Sequence, residues 1–192
     1  MNLKRLLIGT IAVFLASMVL SATALASTPR QPQAGERWGY QNVNYHMGVT
    51  STSFMFDSSV DSTEKSCFNT GKALWTSSVS GISITEVSLH SNKVISYSNA
   101  GDWVTGRTTV SGNPSTGHLS GWTIQLNRYF NASRTNTQLS QTCAHELGHA
   151  YGLIHSSDAT WSSQIMYWDA DVNRSVTTHD QTGMKSTTHI LP

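Results

Sequence analysis

Three histidines and a glutamate fall within eleven consecutive residues, in the run His145-Glu146-Leu147-Gly148-His149-Ala150-Tyr151-Gly152-Leu153-Ile154-His155. On an α-helix, residues four apart share a face, so His145 and His149 can each aim a ring nitrogen at one ion. Glu146 sits one step round, where its carboxylate reaches a water on that ion rather than the ion itself. Gly152 has no Cβ and can take a left-handed conformation that ends the helix and turns the chain. His155 then returns as a third ligand.

Three imidazoles leave the fourth position of a tetrahedral zinc open, which is the arrangement of a catalytic site rather than a closed structural one. A water held there has its pKa lowered to about 7, Glu146 takes its proton, and the hydroxide attacks a carbonyl that the zinc polarises. The reaction these residues point to is peptide-bond hydrolysis. An amphipathic helix with two solvent-facing histidines is the competing explanation for the first five residues alone. The glycine and third histidine at their required offsets disfavour it.

The full run resembles the zinc motif of the metzincin metalloendopeptidases, HExxHxxGxxH followed by a Met-turn. Ser163-Gln164-Ile165-Met166-Tyr167 is similar to the Met-turn, and the resemblance implies that Met166, eleven residues after His155, forms an apolar floor beneath the histidines. Within that group the chain is most similar to the matrixin-type catalytic domain, because Tyr167 directly follows the methionine. Astacin- and serralysin-like chains place a metal-associated tyrosine one residue further on, where Trp168 stands, so no tyrosine ligand is expected.

The segment 176–184 resembles the final matrixin helix and keeps one residue, Asp180, of that helix's opening acidic pair. The resemblance implies that Asp180 braces the Met-turn from behind; a first-turn aspartate favoured by the helix dipole is the alternative. One catalytic zinc is the implied cofactor, with Tyr167 and Trp168 as substrate-pocket candidates. Trp168 replaces a proline that lines the family's specificity pocket, so the pocket is expected to differ in shape. Matrixins also block their zinc with a propeptide cysteine, yet no cysteine lies between Ser27 and Val60. Their second zinc and calcium ions are not expected either, since Asp102 is the one acidic residue between Ser88 and Ala144. His118 and His90 are left as stray candidate ligands, with solvated surface residues as the favoured reading.

The chain has 192 residues, one domain's worth and enough for a proper core. Its net charge is +1 and no basic run follows the first few residues, which argues against nucleic acid as a partner. Charged residues make up 12% of the sequence, and Ser, Thr, Asn and Gln supply the polar surface, a composition suited to an extracellular protein. Lys4 and Arg5 precede an apolar run over residues 6–20, followed by Ala24-Leu25-Ala26, an A-x-A cleavage pattern. This reads as a secretory signal peptide over 1–26, a flexible segment over 27–37, and a catalytic domain over 38–192. An uncleaved membrane anchor is the alternative. Two cysteines in a secreted chain predict a disulfide, Cys67 to Cys143, worth about 4.5 kcal/mol on the chain-entropy model. Two free buried thiols are the alternative.

Residues 40–46 read as a first strand from the alternation of Val43 and Tyr45. An acidic cap at Asp61 opens a helix whose apolar stripe is Cys67, Phe68, Gly71, Leu74 and Trp75, with Gly81 as its breaker. Strands are expected near 82–87, 94–97, 106–110 and 122–127, and the zinc helix over 138–151. This order suits an α/β sandwich. The resemblance adds the rest of the expected fold: a metzincin-like α+β domain with a twisted, mostly parallel sheet of about five strands. An antiparallel edge strand, an early helix, the zinc helix and a C-terminal helix complete it. By order, 106–110 is the edge strand that would bind substrate as an added antiparallel strand. The expected protein is a secreted, monomeric zinc endopeptidase acting on peptides or proteins. A cell-wall peptide amidase with the same chemistry is one alternative. A non-catalytic zinc-binding module is another, disfavoured because a structural site needs no Glu146.

Overall fold

The computed structural model describes residues 46–113, 115–156, 162–167 and 174–190. The expected signal peptide, the segment 27–37, residues 40–45 of the expected first strand, and Trp168 lie outside them. The first described strand is β1 (Ser51–Phe56), which hydrophobic alternation does not announce because of its six residues only Phe54 is fully buried.

Helix α1 (Ser62–Ser78) begins as its sequence dictates. Asp61 accepts from the Glu64 amide at 2.9 Å, and Glu64 accepts from the Asp61 amide at 3.0 Å, a reciprocal capping box. The buried Glu64 carboxylate also accepts from Ser96 Oγ and Arg128 Nη2, each at 2.6 Å. Cys67, Phe68, Gly71 and Trp75 face inward on successive turns, while Leu74 is half-buried. Past the helix end, Gly81 takes φ +95°, a region L side chains avoid, and the chain reverses into β2 (Ser83–Glu86).

β3 (Lys93–Tyr97), β4 (Gly106–Asn113) and β5 (His118–Asn127) follow, then the single turn α2 (Arg128–Asn131), α3 (Asn136–Ala150) and α4 (Thr178–Thr187). The sheet order is β2-β1-β3-β5-β4. The first four strands run parallel and β4 is antiparallel to β5 at the edge, as expected for residues 106–110. Phe54, Val94, Ile124 and Leu126 contribute fully buried side chains to the core.

Helices α1 and α3 touch through Gly71. A Cβ at that position would lie 2.5 Å from the Ser140 carbonyl oxygen and 2.8 Å from the Ala144 nitrogen. Trp75 completes the contact, its ring wholly buried and its Nε1–H donating to the Ala144 carbonyl at 2.7 Å. The expected Cys67–Cys143 bridge is not formed: both are free thiols buried beside this helix contact. They act as small apolar packing groups. Burial pushes the Cys143 thiol well above its usual range, and the nearby Cys67 pushes it further. Alkylation without reductant should therefore add two groups per chain in denaturant and none under native conditions. A denatured chain that takes up none would restore the bridge.

Candidate metal centre

Thr135 opens α3 with a second capping box, its hydroxyl accepting from the Gln138 amide while Gln138 Oε1 accepts from the Thr135 amide. The helix ends at Ala150, where Gly152 at φ +97° lets its own amide reach the His149 carbonyl and the Leu153 amide reach Gly148. The chain then leaves the helix so that His155 returns over its last turn. The three Nε2 atoms stand 3.1 Å (His145 to His149), 3.0 Å (His149 to His155) and 3.0 Å (His155 to His145) apart.

That triangle is not a hydrogen-bond network. An imidazole nitrogen offers one in-plane proton or one lone pair, so none of the three can bond to both others. The tautomers are fixed from outside: His145 Nδ1–H donates to the Ile165 carbonyl and His149 Nδ1–H to the Leu153 carbonyl, both at 2.7 Å. Those two Nε2 atoms therefore carry lone pairs directed at the same region as His155, a repulsive arrangement that a cation relieves. Nitrogens about 2.1 Å from a tetrahedral zinc are separated by roughly 3.4 Å, and the ion draws the rings only slightly apart. An all-imidazole donor set of this spacing fits zinc. Burial holds the His145 pKa well below its ordinary range and that of His149 at about 4, which keeps both in the neutral, ligating form.

Glu146, the residue after His145, is buried under the edge strand. Thr108 Oγ1 lies 2.6 Å from Glu146 Oε2 and 2.9 Å from its backbone oxygen. Burial raises the carboxyl to about 7, against the opposing effects of the Thr108 hydroxyl and the Arg107 charge. At Gly106 a Cβ would sit 2.9 Å from Glu146 Cγ and Oε1, so a side chain there would push this carboxylate aside. Thr108 and Gly106 were not singled out from the sequence. Their two-residue spacing puts them on one face of a strand, but nothing local says which helix that face covers.

The Met-turn lies behind the histidines. Met166 is 3% exposed, and a Cβ at Gly148 would overlap its sulfur and stand 3.2 Å from the Trp75 ring. Gly148 therefore lets the methionine press on the helix backbone between His145 and His149. Asp180 both closes the Thr177 capping box and accepts from the Ile165 and Met166 amides at 3.2 and 3.4 Å, so the two readings of this residue hold together. Burial raises its carboxyl pKa despite those donors. Ile165 is thus a relay between Asp180 and His145. Tyr167 is half-buried, with the Arg174 guanidinium 4.9 Å from its ring and donating to its carbonyl at 2.8 Å. His90 accepts from the Asn92 amide at 2.9 Å through Nδ1. His118 is not a solvated surface residue as expected: it lies against His46 and His189, which sequence distance had concealed.

Gly148→Ala should lower stability by about 1–3 kcal/mol through overpacking, read as a drop in melting temperature. An unchanged melting curve would contradict the contact. Asp180→Ala leaves two buried amides without an acceptor, each costing about 1–3 kcal/mol. Because Ile165 orients His145, the same variant should weaken zinc affinity about 10- to 100-fold in a competition titration with a chromogenic chelator.

The sequence matches the Matrixin family (Peptidase_M10) over residues 87–187, a stretch that takes in every residue of this site. Among solved structures the chain is similar to high choriolytic enzyme 1 (HCE-1), a hatching enzyme zinc-protease from Oryzias latipes (medaka fish). The TM-score is 0.50 at 11% identity, over 85% of this chain and 99% of that one, a likeness of fold. Myroilysin aligns at 15% identity over 76% of this chain and 73% of that one, with a TM-score of 0.38. No curated protein matches the sequence significantly. With the family matched across the histidine motif, the chain belongs to the matrixins and is a zinc metalloendopeptidase.

Proposed function

We propose that His145, His149 and His155 hold the catalytic zinc, that Glu146 is the general base, and that the enzyme is secreted to cut peptide or protein chains at internal bonds. The observation that carries this is the Nε2 triangle together with a buried carboxylate on the residue that follows its first histidine on the same helix. Zinc, when bound, supplies Lewis acidity toward a carbonyl and toward water. Glu146 takes the proton of the attacking water, and a carboxyl near pH 7 is matched to that task. Thr108 positions the carboxylate, and Gly106 and Thr108 shield it from bulk solvent on the sheet side.

β4 supports the mode of substrate binding. It is the sheet's outer strand, and an extended peptide can add to it through backbone hydrogen bonds, with side-chain pockets giving selectivity. The apolar run and A-x-A pattern at the N-terminus support export.

Purified protein incubated with a mixed peptide library should give internal cuts that a chelator abolishes and zinc restores, read by mass spectrometry. Glu146→Gln should retain zinc and lose turnover by a factor of about a hundred to ten thousand. Near-full activity of that variant with zinc in place would refute the mechanism. Release of cell-wall peptides alone would redefine the substrate, and no cutting at all would make the protein a binding module.

A further inference from the structure

A second group of three histidines meets where the two ends of the described chain come together. His46 precedes β1, His118 opens β5 and His189 follows α4. Backbone bonds bring them in: the His46 amide donates to the Gly117 carbonyl at 3.0 Å, and the Leu119 amide to the His46 carbonyl at 2.8 Å. The Gly48 amide donates to the Thr187 carbonyl at 2.8 Å, which ties the C-terminal end of α4 to the same place.

The local conformations accommodate the rings. His189 sits at φ +59°, a conformation uncommon for a side chain with a Cβ. Gly48 sits at φ +67°, and a Cβ there would fall 2.5 Å from His118 Cδ2 and 2.7 Å from its Nε2. Any other residue at 48 would displace the His118 ring. The ring centroids are 4.7 to 5.5 Å apart, close to the 4.7 to 5.0 Å among the histidines of α3 and its following loop.

The polar accounting is incomplete without a ligand. His46 is 2% exposed and its Nδ1 has no partner among the described residues; His118 Nε2 is likewise buried and unpartnered. His46 Nε2 and His189 Nε2 are 2.7 Å apart. One ring nitrogen from each of the three lies within 4.8 Å of the others. Burying an unsatisfied ring nitrogen is costly, and a cation that takes one nitrogen from each ring reduces that cost, the two nitrogens of His46 diverging so that only one of them binds it.

We propose that His46, His118 and His189 form a second metal site that takes zinc and clasps the N-terminal segment and the chain beyond α4 onto the β4–β5 hairpin. An all-imidazole set suits a borderline cation and not calcium or magnesium, which require oxygen donors. No carboxylate belongs to the cluster among the described residues, so it has no general base. Its role is structural: a cross-link between His46 and His189 closes nearly the whole described chain, which restricts the unfolded state as a long-loop disulfide would. The proposal is independent of the reading of the first site.

The test counts zinc by plasma mass spectrometry after dialysis of the full chain against metal-free buffer. Wild type should retain two ions, and the pair variants His145→Ala/His149→Ala and His118→Ala/His189→Ala one each. Added zinc should raise the melting temperature of the dialysed His145→Ala/His149→Ala protein by several degrees. One ion in wild type and none in that variant would overturn the proposal, leaving a hydrogen-bonded histidine pair. A folded His118→Ala/His189→Ala protein that still holds two ions would also overturn it. If that variant does not fold, the first two counts decide.

Discussion

The active-site helix is gripped from both sides at one residue without a side chain. Gly148 lies between the Trp75 ring and the Met166 sulfur, and a Cβ there would collide with the sulfur while crowding the ring. Protein interiors are close-packed and give little, so this clamp fixes how far α3 stands from α1 and from the Met-turn. His145 and His149, on either side of Gly148, inherit that placement. The bond from His145 Nδ1 to the Ile165 carbonyl depends on it, because that carbonyl belongs to the Met-turn segment on the far side of the clamp.

Polar groups lock what packing places. Asp180 holds the Ile165 and Met166 amides, and the Ile165 carbonyl in turn accepts from His145 Nδ1. This chain of bonds reaches from the first turn of α4 to a histidine on α3 and selects the tautomer that leaves Nε2 free. On the opposite side, β4 covers Glu146 through Thr108 and Gly106. One strand is therefore both the lid of the carboxylate and the sheet edge open to a peptide.

The two histidine clusters differ in how they are built. In the first, three ligands lie close in sequence and a helix turn plus one glycine turn suffices to gather them. The second draws on residues near both ends of the described chain and on the start of β5, and it forms only once the sheet, α4 and the segment before β1 are all in place. An ion there adds to the stability of the completed domain, whereas the first serves chemistry.

The sequence alone determined the features set by local periodicity. The four-residue spacing of His145 and His149, the turn at Gly152, the capping box at Asp61 and the stripe through Trp75 follow from helix geometry and hold in the structure. The sheet's edge strand and the position of Met166 were legible through the motif order. Tertiary structure decided the rest, because those features join distant residues. Which helix faces Thr108, what a side chain at Gly148 or Gly71 would meet, and that His118 meets His46 and His189 depend on strand order and helix approach rather than on neighbours in the chain. The cysteines follow the same rule: their number predicts a bridge, yet the packing of α1 on α3 leaves them as buried free thiols. Spacing fixes what shares a face, and only the packed fold fixes what that face meets.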